Sequence, residues 1–182
     1  VARGYDGTTA VTLAPSNFTV SGLANGENFS VQATQGTLAS KDVGKAIGVT
    51  ASLTPSAFAP GGGTSSTNYS FPTTASGNIG EVTAKTLTYV AALAERAAKA
   101  ENPVFTGQVT GFISGETQAS ATTGTLVFKT DATIDSPEGR YYINGSGLSA
   151  TNYVFEQALG NATALTVKPP IANVTQTVTQ TV

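Results

Sequence analysis

An internal repeat constrains this 182-residue chain more than any other feature. Val20-Ser21-Gly22-Leu23-Ala24-Asn25-Gly26-Glu27 recurs as Val109-Thr110-Gly111-Phe112-Ile113-Ser114-Gly115-Glu116. Thr34-Gln35-Gly36-Thr37-Leu38 recurs as Thr122-Thr123-Gly124-Thr125-Leu126, and Thr67-Asn68-Tyr69-Ser70-Phe71 as Thr151-Asn152-Tyr153-Val154-Phe155. Gly77-Asn78-Ile79 closes the first copy and Gly160-Asn161-Ala162 the second. Ordered self-similarity of this kind means that the chain is built from copies of one supersecondary unit. The copies differ in their long loops, at Pro60 to Ser66 in the first and Asp131 to Glu138 in the second, and loop tips tolerate such changes on a shared framework. The expected organisation is a module at residues 1–83, a second at 84–168, and a low-complexity linker or start of a next unit at 169–182, stiffened at Pro169-Pro170.

Strand signals dominate both copies. Phe18, Val20, Phe29, Val31, Ile47, Val49, Tyr69 and Phe71 alternate with small polar residues, as do Phe105, Val109, Leu126, Phe128, Tyr141 and Ile143. Asn25-Gly26 and Ser114-Gly115 fall between strand-like runs, where a tight hairpin needs positive φ. Gly22 and Gly111 mark bulges or bends. The stretch from Val90 to Ala100 breaks the pattern: it is rich in helix formers, and Glu95 and Lys99 have the i, i+4 spacing that supports a helix. Leu87, Tyr89, Ala91 and Leu93 alternate like a strand. The expectation is a strand from about Thr86 and then a short helix ending before Asn102-Pro103, with a strand over 93–100 left open.

Composition narrows the chemistry. With no His and no Cys, zinc sites, thiol nucleophiles and the usual general base are missing, so no enzyme and no cofactor is expected. A net charge of −2 without a basic stripe argues against nucleic acid. Nothing reaches the run of about 18 apolar residues that a membrane-spanning helix needs. The chain begins at Val1 without a signal-peptide pattern and reads as a piece of something longer. Asp131, Asp135 and Glu138 share one loop and offer oxygen ligands, but their spacing matches no calcium loop. Whether calcium binds there stays open.

The residues near the start, Tyr5-Asp6-Gly7-Thr8-Thr9, with the Gly-Leu-x-x-Gly-Glu segment and the late Asn-Tyr, resemble the YDG module. The second copy resembles the related MBG module. It carries Asn102-Pro103-Val104-Phe105-Thr106-Gly107, Gly115-Glu116, Gly147-Leu148-Ser149-Ala150-Thr151-Asn152-Tyr153 and Gly160 to Val167. The resemblance spans residues 2–168. One departure stands out: such modules often have a Tyr-Gly pair before the Asn-x-Pro region, and Ala98-Lys99-Ala100-Glu101 occupies that place here.

The resemblance implies a mainly β fold of two small tandem modules end to end, with at most one or two short helices; an α+β, β-grasp-like unit is the alternative. It also implies a parent in the class of large secreted bacterial adhesins of the filamentous-haemagglutinin type, exported by two-partner secretion and displayed on a Gram-negative cell surface. No catalytic residue carries over. The expected role is a monomeric stalk or spacer serving adhesion and biofilm formation, with neighbouring repeats as partners. The alternative is a carbohydrate-binding module for exopolysaccharide or host glycans. Tyr141, Tyr142 and Asn144 are its candidate ligand contacts, because adjacent strand residues point to opposite faces. A third reading is edge-to-edge association between chains through exposed strands. Tyr5 is expected to pack above a turn at Asp6-Gly7, and the two Asn-Tyr pairs are read as framework rather than sugar contacts.

Overall fold

Short apolar-polar alternation punctuated by glycine favours many brief strands. The computed structural model, which describes residues 1–170, contains strands of three to ten residues and no helix of seven or more among the described residues. The fold is mainly β. The longest α-helical segment described is Gln118–Ala121, too short to support the α+β alternative. The low-complexity reading of Ile171 to Val182 falls outside the described residues. The chain divides into two compact units, Val1–Lys85 and Thr86–Val182.

The first unit holds β1 (Ala2–Gly4), β2 (Ala10–Thr12), β3 (Phe29–Val31), β4 (Gln35–Leu38), β5 (Gly44–Ser52), β6 (Phe58–Pro60) and β7 (Thr74–Thr83). Five of them form one sheet in the order β1-β7-β5-β4-β2. Pairing is antiparallel throughout that sheet except for β1 with β7, which is parallel. β3 and β6 form a separate antiparallel pair. Alternation does its work strand by strand: Phe29 and Val31 are buried while Ser30 between them is exposed, and Val49 and Ala51 flank exposed Thr50. Leu38, at 2% exposure, packs against β7, where a Cβ on Gly80 would lie 2.4 Å from its side chain. Phe58 stacks on Phe71 at 4.4 Å, and Phe29 meets the edges of both Phe71 and Tyr69.

The second unit follows with β8 (Lys85–Ala91), β9 (Ala94–Ala97), β10 (Gly107–Thr110), β11 (Thr123–Lys129), β12 (Gly139–Tyr141), β13 (Asn144–Ser149), β14 (Tyr153–Gln157) and β15 (Leu165–Lys168). β8 lies between β10 and β14, β15 between β12 and β9, and β11 pairs with β13 across a bulge between Gly124 and Val127. Leu165, Ile143 and Val167 form the dry centre with Tyr89 and Phe128. Full burial of each such aliphatic side chain contributes about 1.5–3 kcal/mol.

Two local expectations are corrected. Residues 94–97 are a strand, not a helix: β9 pairs in parallel with β15, matching Arg96 to Val167. Helix propensity gives way because tertiary pairing and the burial of Arg96, 7% exposed, outweigh it. The hairpins at Asn25-Gly26 and Ser114-Gly115 do not form either. Gly26 and Gly115 do adopt φ of 84° and 85°. The residues before them keep negative φ, however, and a two-residue hairpin of the favoured I′ type needs both positive. A turn with only its third residue left-handed splays the flanking segments, and β3 finds its partner in β6 instead.

Candidate functional site

The repeated Gly-Glu and Asn-Tyr segments meet in each unit and make the same construction. In the first, the Glu27 N–H donates to the carbonyl of Ala24 at 3.1 Å and closes a turn. The Tyr69 hydroxyl then accepts from the Ala24 N–H at 3.0 Å and donates to the Glu27 carboxylate. In the second, Glu116 N–H donates to Ile113 O at 3.2 Å, while Tyr153 Oη accepts from Ile113 N at 3.1 Å and donates to Glu116 Oε2 at 2.5 Å. A phenol used in both senses satisfies a backbone donor and a carboxylate at once. The Glu27 hydrogen bond raises the Tyr69 pKa above its ordinary value. For Tyr153 burial is the larger cause and Glu116 the next. The tyrosines of the two Asn-Tyr pairs therefore serve as framework, fastening each turn to its module.

The Tyr5-Asp6-Gly7 segment is also structural. Tyr5 is 4% exposed, and its N–H donates to Thr83 O at 2.9 Å, continuing the β1–β7 ladder. Asp6 Oδ1 accepts from the Thr8 N–H and hydroxyl, both at 2.8 Å, and pairs with the Arg3 guanidinium. Arg3 and then Thr8 hold the Asp6 carboxyl down at about 2. The second unit repeats the latch with other residues. Arg3 stands opposite Val82 as Arg96 does opposite Val167, and Ala98 N donates to Lys168 O at 2.8 Å as Tyr5 N does to Thr83 O. Arg96 donates to Asn102 Oδ1 at 2.7 Å and to the carbonyls of Ala97 and Thr133.

The candidate ligand contacts are less open than expected. Tyr141 and Tyr142 are both half-buried, and only Asn144 is exposed. Tyr141 packs against the second core and donates its hydroxyl to Pro137 O at 2.7 Å. Tyr142 is hydrogen-bonded to Asp131, whose carboxylate raises its pKa. Two of the three loop acids have partners of their own: Asp131 is engaged by Tyr142, and Asp135 pairs with Lys99 at 2.8 Å, which lowers its pKa. Among the described residues no group of three or more His, Cys, Asp or Glu converges.

Sequence reasoning overlooked Asn161, 1% exposed in the turn before β15. Its Oδ1 accepts from Ala91 N, and its Nδ2 donates to Tyr89 O and Gln157 Oε1, each at 2.9 Å. The one available signal was the Gly-Asn landmark. It misleads as a repeat, because Asn78 in the first copy is an exposed residue of β7. A cleft of about 560 Å³ in the first unit is lined by Phe18, Leu23, Tyr69 and Phe71, with Asn68 among its polar residues.

Compared with known families, residues 1–77 match the YDG domain and residues 87–163 match the MBG domain (YGX type). No curated protein and no solved structure matches the chain.

Proposed function

The chain belongs to the YDG and MBG (YGX type) domain families, one module of each in tandem, and from that premise we propose that it is a stalk segment of a secreted bacterial surface adhesin. The observation that carries this reading is the fate of its aromatic rings. Each of the six Tyr and eight Phe is buried or half-buried, and the repeated phenols are committed to fastening turns. Sugar-binding surfaces need flat apolar faces presented to solvent with polar groups beside them. Here the exposed surface is chiefly Thr, Ser, Ala, Gly and Asn. Charged residues are 11% of the chain, against roughly 25% in an ordinary domain. Modules that close their own cores without Cys suit export as an unfolded chain and folding outside the cell. Placement at a Gram-negative surface, two-partner secretion, neighbouring repeats as partners and a part in biofilm cohesion all belong to this proposal.

A second reading, a carbohydrate-binding module, is favoured by the cleft in the first unit, where Phe18, Phe71 and Asn68 lie together. One experiment separates the two: titration of the purified fragment against bacterial and host polysaccharides, followed by calorimetry. Absence of saturable binding is the outcome expected of a stalk. Saturable binding abolished by Phe71→Ala places a sugar in the cleft. Binding abolished by Tyr141→Ala or Tyr142→Ala places it on β12. Either result overturns the stalk reading.

A further inference from the structure

The chain contains two Asn-Gly dipeptides, Asn25-Gly26 and Asn144-Gly145, and the fold treats them differently. In this dipeptide the glycine nitrogen can reach the asparagine side-chain carbonyl carbon, because no Cβ stands in the way. We propose that Asn25 is a site of spontaneous, structure-selected deamidation, and that Asn144 is protected from it.

Asn25 and Gly26 are both exposed at the tip of the turn that Tyr69 fastens. The residues on either side are held, Ala24 by the Tyr69 hydroxyl and Glu27 by the Ala24 carbonyl. Neither the Asn25 carboxamide nor the Gly26 N–H has a hydrogen-bond partner among the described residues. A Cβ built on Gly26 would meet nothing within 4 Å, so there is room for a ring to close. Gly145 is the reverse case. Its N–H donates to Gln157 Oε1 at 2.9 Å, its carbonyl accepts from Gln157 Nε2 at 2.7 Å, and a Cβ there would lie 2.6 Å from the Tyr89 ring. The second module keeps the same turn with Ser114 in place of Asn25, so it lacks the reactive amide.

The reaction needs only water. Gly26 N bonds to Asn25 Cγ and gives up its proton, the Cγ–Nδ2 bond breaks, and ammonia leaves. Water then opens the cyclic imide at one of its two carbonyls, giving aspartate or isoaspartate. Isoaspartate inserts a methylene into the main chain inside the turn that Glu27 N–H closes, and both products set a carboxylate two residues from Glu27. The change therefore loosens the tyrosine fastening of the first module and leaves the second untouched.

The test is to hold the whole chain folded in mildly alkaline buffer and map its peptides by mass, with enzymatic methylation to mark isoaspartate. Asn25 is expected to convert at least about tenfold faster than Asn144, since Asn144 must first release the two Gln157 hydrogen bonds. In denaturing urea the two sites are expected to react at similar rates. Asn25→Ser, which installs the residue the second module already uses, should remove the modification. Conversion of Asn144 at the pace of Asn25 in the folded chain overturns the proposal. So does an Asn25 that stays intact in the folded chain while it converts in urea.

Discussion

Tyr153 carries more than its ring. Its hydroxyl satisfies Ile113 N and Glu116 together in a setting 4% exposed. Tyr153→Phe keeps the packing against Phe112, 5.6 Å away, but strands a backbone donor, and is expected to lower stability by about 1–3 kcal/mol in urea denaturation. Tyr69→Phe does the same at a half-buried site and should lose less. Both phenols have pKa values raised above the ordinary 10.0. Stability from the protonated phenols is therefore complete below pH 10 and lost as pH rises through the raised values, and Tyr153→Phe should flatten that alkaline loss. Asp6 works in the other direction. With its carboxyl at about 2 instead of 3.8, it contributes stability above pH 3.8 that disappears as pH falls toward 2. Asp6→Asn should remove that acid dependence from the melting temperature. Lys99 adopts φ of 64°. A non-glycine residue in that region is strained by roughly 1–2 kcal/mol. Lys99→Gly is expected to be neutral or stabilising in the same denaturation assay, and Lys99→Val clearly destabilising, because a β-branched side chain fits that region worst.

At the scale of elements, Asn161 continues the edge of β8 where β14 has ended. Its carboxamide takes the Ala91 N–H and gives a hydrogen to Tyr89 O, the pair of bonds a neighbouring strand would make to β8. Asn161→Ala leaves the Ala91 N–H without its acceptor, while Tyr89 O keeps the Ala158 N–H, and should cost about 1–3 kcal/mol, read as a lower urea midpoint at unchanged slope. No sequence pattern announced this, because a side chain acting as a strand has no period. The strands themselves were legible wherever one face is buried: Phe29 and Val31 alternate with Ser30, and Leu87 and Tyr89 with Thr88, as half-buried strands must. β9 was not legible. Glu95, Arg96 and the alanines around them have local preferences for helix, and the decisive partner, β15, lies some seventy residues further along the chain (Val167 − Arg96 = 71). The fastened turns were half legible. Repetition matched Glu27 to Glu116 and marked Tyr69 and Tyr153 as framework positions. That each Tyr reaches its Glu across about 40 residues is a fact of the fold alone (69 − 27 = 42; 153 − 116 = 37). The two adjacent tyrosines are less open than their spacing suggested for a related reason: adjacency on a strand predicts opposite faces, but Tyr142 lies beyond the end of β12 and turns to Asp131.

At the scale of the whole molecule, the question is whether a tandem of this kind is one folding unit or two. Each unit has its own buried set, Leu38, Val49 and Val82 in the first and Leu87, Ile143 and Leu165 in the second. Each also closes its own early-to-late parallel pair, β1 with β7 and β9 with β15. Those pairs tie the beginning of a module to its end, so a cut between modules spares them and a cut within a module does not. Residues 1–85 and 86–182, produced separately, are expected to unfold cooperatively by calorimetry, each with the strand signature it has in the intact chain. Removing residues 1–4 from the first half should instead lower its midpoint, because β7 then loses its parallel partner and Arg3 no longer holds Asp6. Modules that pass this test are additive, and in an additive array the number of copies sets the length without a new core being designed for each join. If neither half folds alone while the intact chain melts in one transition, the repeat is a single domain in two sequence-similar pieces. A stalk that grows by adding copies would then lose its physical basis.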